Sequence, residues 1–150
     1  MGHYAKINKD NVVEQVIVAK ADYINTLPDK ESYIKTSYNT HEGIHYEPRN
    51  GVYDPDGQNL PVPSSDQSKA LRYRFAAIGM IYNKTHDIFH PPQKYPSWTF
   101  VVKDETNFAY YWKAPHDVPQ TKGSDGKLQD YKWDEDAYQA DNTKGWVLDE

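Results

Sequence analysis

The chain has 150 residues, a formal net charge of −5 and no cysteine, which fits one ordinary domain and excludes a disulfide framework or a thiolate metal site. Only 37% of residues are hydrophobic and mean hydropathy is −0.94, yet 14% are aromatic, 13 of them Tyr; that excludes a disordered chain and predicts a folded domain with a thin, aromatic-rich core. Residues 1–75 carry 9 basic and 10 acidic side chains and residues 76–150 carry 8 and 12, so neither half offers a basic field for nucleic acid.

Met1 to Lys6 lacks the basic start and apolar run of a signal peptide, so none is expected and synthesis in the cytoplasm is. Residues 4–18 predict a β-hairpin: Tyr4 and Ile7, a polar turn at Asn8-Lys9-Asp10-Asn11, then Val12, Val13, Val16, Ile17 and Val18. Asp22 is placed to cap a short helix over Tyr23–Leu27 that Pro28 stops. Ser32 to Tyr38 is strand-like. From Asn39 to Lys69 Asn, Gly, Pro, Asp and Ser dominate, which predicts a long loop suited to reaching a neighbouring subunit. Lys69, Arg72 and Arg74 form the one local basic spot, the pattern of a solvated strand edge.

The second half predicts a run of short hairpins. Arg72 to Tyr82 is a strand region with Gly79 at its centre, and Tyr82 to Phe89 is strand, turn, strand. Phe100 to Trp112 takes the same form, as does Tyr131-Lys132-Trp133 with Asp134-Glu135-Asp136 as a turn and Gly145-Trp146-Val147-Leu148 returning. The Pro-rich spacers 90–98 and 114–119 suit linkers or edges, because proline cannot sit in a central strand. The expected fold is therefore mainly β: an antiparallel meander of short aromatic-rich hairpins with one short helix and one long loop. It is expected as a single domain, with the N-terminal hairpin and helix over 3–38, the loop over 39–69 and the C-terminal hairpins over 70–150.

Few motifs carry chemistry. His41-Glu42-Gly43-Ile44-His45 matches H-E-x-x-H, which binds zinc when a helix sets both histidines on one face. No helical periodicity surrounds it, and on a strand i and i+4 lie about 13 Å apart, too far for one metal. His86 and His90 repeat the spacing in a predicted hairpin that ends at Pro91-Pro92. His41, His45, His86 and His90 thus stand as remote metal candidates only, and the expectation is no metal, no cofactor and no catalytic residue. Asp54-x-Asp56-Gly57 has its glycine misplaced for a calcium loop and lacks the terminal Glu, so it predicts a turn. Asp104-Glu105 and Asp134 to Asp136 are turn acids, and the longest apolar stretches are too short to span a bilayer.

The remaining lead is the set of rings. Trp98, Trp112, Trp133, Trp146 and Tyr111 are the candidate binding residues, as large rigid contacts for a sugar or a protein partner. The competing reading makes most of them the core of a β-meander that is poor in aliphatics.

The opening His3-Tyr4-Ala5-Lys6-Ile7-Asn8-Lys9-Asp10-Asn11-Val12-Val13 resembles that of a family of small virion-associated proteins of tailed phages infecting marine cyanobacteria. Lys35 to His41, Arg74 to Tyr82 and Pro91 to Trp98 resemble its later blocks; the likeness runs over roughly residues 2–114 and is looser beyond, where Thr121–Leu128 looks inserted. The resemblance implies a phage structural accessory protein on the virion, either head decoration or tail-associated, made in the host cytoplasm. Its partners would be other phage structural proteins and copies of itself. It implies no catalytic residues; the charge balance and the short apolar stretches predict no nucleic-acid and no membrane partner. Alternatives are a module binding host glycan, a tail-fibre assembly chaperone and, remotely, a zinc-dependent hydrolase.

Overall fold

The computed structural model describes residues 1–48, 55–57 and 60–150. The chain is mainly β, in small antiparallel sheets with two short helices, and its contacts divide it into two compact units, Met1–Pro92 and Gln93–Glu150. The division falls at Pro92, which places the hairpin near residue 85 in the same unit as the N-terminal sheet.

The first unit is organised by β1 (Gly2–Ile7), the centre of a three-stranded antiparallel sheet. It pairs with β2 (Val13–Ala19) on one side and β3 (Tyr33–Thr36) on the other. The turn joining β1 to β2 is built by Asn8, whose side-chain oxygen accepts from the amides of Asp10 (2.9 Å) and Val12 (3.0 Å). Asn11 adopts φ 63°, a conformation Asn tolerates. Being central, β1 has both edges paired, and side chains cover both of its faces. Ala5 and Ile7 on one face pack with Val13, Ala76 and Phe89, while Tyr4 on the other packs with Ala19 and Ile24. Ile24 comes from α1 (Ala21–Asn25). This helix starts earlier than the sequence suggests: Lys20 is its N-cap without a side-chain bond, and Asp22 lies in the first turn, where a carboxylate suits the helix dipole instead of capping.

The stretch expected as a long loop holds a hairpin, β4 (Thr40–His41) and β5 (Ile44–His45), turned by Glu42 (φ 48°) and Gly43 (φ 81°). Positive φ at both central residues is the turn that matches strand twist, and only the glycine of the two advertises it. Asp66 caps a 3-10 turn over Gln67–Lys69, its carboxylate accepting from the Ser68 amide. Asn50-Gly51 and Asp54 of the suggested calcium loop lie outside the described residues.

The strand expected over 72–82 is reduced to β6 (Ile81–Asn83), which pairs with β7 (Ile88–His90). Arg72 (φ 53°) and Tyr73 (φ 72°) break the preceding segment, since no strand tolerates two consecutive positive φ values. The broken segment still packs: Ala76 is buried and its amide donates to the buried Thr36 hydroxyl at 2.9 Å.

The second unit contains two hairpins. β8 (Thr99–Val101) pairs with β9 (Tyr111–Lys113), and β10 (Tyr131–Trp133) pairs with β11 (Trp146–Leu148). Between β10 and β11 lies α2 (Glu135–Ala140), a helix where the sequence suggests an acidic turn. Asp134 is its N-cap, its carboxylate accepting from the Ala137 amide at 2.9 Å.

Candidate functional site

The candidate rings gather in the second unit because its strands set them opposite one another. Trp133 and Trp146 are direct cross-strand partners in β10 and β11, with centroids 5.2 Å apart and planes at 78°. Trp98 arrives from the Pro-rich segment and closes a triangle, 6.1 Å from each. Tyr95 packs on Trp98 at 5.3 Å, and Tyr138 of α2 on Trp133 at 5.4 Å. Such edge-on and tilted contacts are the favoured geometry of rings in a core. Trp133 is 6% exposed, and Trp98 and Trp146 are half-buried.

The polar edges of these rings are tied into the unit. The Trp146 indole N–H donates to the His116 carbonyl at 2.7 Å, and His116 Nε2 donates to the Asn142 carbonyl at 2.5 Å. The Trp133 indole donates to Glu135 at 3.4 Å, and the Ser97 amide donates to the same carboxylate at 2.9 Å. Burial opposes ionisation of Glu135, but bonds from Ser97, Trp133 and Gln139 outweigh it and hold the carboxyl below its usual range. Two buried donors, Trp98 Nε1 and Ser97 Oγ, have no hydrogen-bond partner among the described residues.

The other two candidates are elsewhere. Trp112 faces Phe100 directly across β8 and β9 at 5.1 Å and is half-buried. Tyr111, its neighbour in the strand, points to the opposite face and is 44% exposed. Trp98, Trp133 and Trp146 therefore form one cluster, Trp112 belongs to a second, and Tyr111 alone offers an open ring. The five do not make one platform.

The most accessible ring among the described residues is not one of them. Phe108 is 86% exposed in the β8–β9 loop. That loop is braced: one Asp104 carboxylate oxygen accepts from the amides of Thr106 (2.7 Å) and Asn107 (2.8 Å) and from the Thr106 hydroxyl (2.8 Å). The bonds from Asn107 and Thr106 keep the Asp104 carboxyl below its ordinary value. Ile78, 73% exposed, is likewise presented on a closed turn, the Met80 amide donating to the Ala77 carbonyl at 3.1 Å. The Asp104-x-Thr106-Asn107 spacing signals the turn, but nothing local signals that the next ring faces out.

The histidines do not converge. In the β4–β5 hairpin His41 pairs with Ile44 and His45 with Thr40, so alternation sends His41 and His45 to opposite faces. His45 Nδ1 meets Ser64 Oγ at 2.7 Å, while the His41 ring lies beside Tyr46. His86 sits in the β6–β7 turn, and His90, 6% exposed, has Nδ1 on the Pro91 carbonyl at 2.7 Å. Among the described residues no group of three or more His, Asp or Glu is placed to hold a metal ion. No helix among them is long and apolar enough to cross a membrane. No family model matches the chain, and neither a curated protein nor a solved structure matches it.

Proposed function

We propose that this chain is a structural accessory subunit of a tailed-phage particle, a head-decoration or tail-associated protein that acts by protein–protein binding. The observation that supports this reading is Phe108, a large apolar ring held out to solvent on a loop fastened by Asp104. An exposed ring costs water contact, and a braced loop has little ordering entropy left to lose on binding. Ile78 on its own closed turn adds a second apolar contact of the same kind in the other unit. The sequence likeness to virion-associated proteins supplies the particle.

The test is mass spectrometry of gradient-purified particles of the phage that encodes this chain. The protein is expected in the particle fraction, and its abundance relative to the major capsid protein separates head from tail. Absence from the particles would overturn the reading in favour of an assembly chaperone. Phe108→Ser should leave the circular dichroism spectrum unchanged and reduce particle association at least about tenfold, the scale of losing one buried aromatic anchor.

A further inference from the structure

A concavity of about 310 Å³ in the first unit lies between the β4–β5 hairpin and the segment that follows Tyr73. Its polar groups come from Arg74, His41, Glu42 and Tyr46, and its apolar walls from Phe75 and Met80. Arg74 is placed there by backbone bonds on both sides of it. The Gly43 amide donates to the Tyr73 carbonyl at 2.8 Å, and the Phe75 amide donates to the Thr40 carbonyl at 3.0 Å. The unusual positive φ values of Arg72 and Tyr73 immediately precede it, and backbone conformations of that kind gather at binding sites. The guanidinium stacks on the buried Tyr73 ring, 5.1 Å from its centroid.

Fixed in this way, Arg74 is still unmatched. Its Nε is sealed from solvent and has no hydrogen-bond partner among the described residues. The ion pairs among the described residues are Lys6–Asp29, Arg72–Asp87 and Lys132–Asp149, so its neighbour Arg72 has a carboxylate and Arg74 has none. A guanidinium held beside a concavity without a carboxylate lacks its counter-charge, and its planar fork selects a planar two-oxygen acceptor. Glu42 on the rim disfavours a second negative charge, which argues against phosphate. Phe75, Met80 and Tyr46 call for an apolar body behind the anionic group. The size is that of a small ligand pocket holding one ring.

We propose that this concavity is a binding site for a small organic monocarboxylate with an aromatic or apolar body, its carboxylate on the Arg74 guanidinium. The site is separate from Phe108 and independent of any role on a particle.

Isothermal titration calorimetry of the full chain tests it, with 3-phenylpropionate as the probe. Saturable one-to-one binding is expected, with 3-phenylpropionamide and inorganic phosphate each at least about tenfold weaker, as expected for loss of a charged bidentate contact or a mismatch to it. Arg74→Ala should weaken binding at least about tenfold, and Arg74→Lys nearly as much, because lysine keeps the charge and loses the fork. Glu42→Gln should tighten binding a few-fold by removing the opposing charge. Absence of saturable binding would overturn the proposal, as would equal binding of the amide or of phosphate. So would a folded Arg74→Ala that binds as the wild type does. Should Arg74→Ala fail to fold, Arg74→Lys and Glu42→Gln carry the test, and no change in either would overturn it.

Discussion

The two units solve the burial problem differently. The first covers both faces of one strand, β1, with small and aliphatic side chains around the buried Phe89 ring, and buries Ala5, Ile7, Val13, Ala76 and Phe89 almost completely. The second, from Gln93 on, has one almost fully buried large side chain, Trp133, and surrounds it with half-buried rings. A sheet with two covered faces distributes its stability over many side chains. A ring cluster concentrates it in the few contacts made by Trp133. All four tryptophans belong to the second unit, so indole fluorescence reports that unit alone.

The largest effect is expected at Phe89, which has no exposed surface. Phe89→Ala should cost the first unit about 3–5 kcal/mol, from lost transfer energy and the cavity left behind. Chemical denaturation followed by far-ultraviolet circular dichroism should show this, while the indole fluorescence midpoint stays in place; a matching fall in that midpoint would merge the two units into one cooperative block. The converse is Gly145→Ala. A methyl group there would stand 2.3 Å from two atoms of the Trp133 ring, at a φ of 145° that alanine avoids. The ring is wedged by Trp98, Trp146 and Tyr138, so it cannot yield. About 2–4 kcal/mol should be lost from the second unit, as overpacking plus backbone strain. The near-ultraviolet tryptophan signal should collapse first, and its survival would mean that the cluster tolerates repacking.

The smallest effect separates the units by pH. Burial lowers the pKa of His90 below its ordinary 6.5, with Arg74 and His86 adding to the shift and the bond to the Pro91 carbonyl opposing it. The unfolded chain therefore binds a proton that the folded chain does not, in the window just below pH 6.5, and stability falls as pH falls through it. The first unit should lose midpoint between pH 7.5 and 5.5 by denaturant titration. His90→Gln should flatten that dependence, and an unchanged slope would assign it to another group.

The elements legible in the sequence were those whose signal is local. The Asn8 turn between alternating β-branched residues specifies the first hairpin, and paired aromatic runs specify β8, β9, β10 and β11. What escaped has no local period. The six residues of α2 are too few for a hydrophobic stripe, and an Asp that caps a helix looks the same as an Asp in a turn. β4 and β5 are two residues each, and the backbone reversal at Arg72 and Tyr73 is set by distant partners in the β4–β5 turn and β7. The candidate rings were legible one by one. Their grouping was not, because Trp98 meets Trp133 and Trp146 only through strand pairing and a Pro-rich approach that no short window contains. The open ring of Phe108 escaped for the opposite reason: its neighbours in sequence are those of an ordinary hairpin strand.

The strand order β2-β1-β3 has one further consequence. While the start of β2 is bonded to the segment before β6, no described strand covers its outer margin from Gln15 to Ala19. Val18 there is 58% exposed. Such a margin is a template on which any extended peptide, including a copy of this chain, can add a strand. Glu14 and Lys20, both exposed, stand at its two ends as charged gatekeepers. Neutralising both would turn a guarded margin into an adhesive one, so the chain's colloidal behaviour at high concentration hangs on two surface charges that contribute little to its fold.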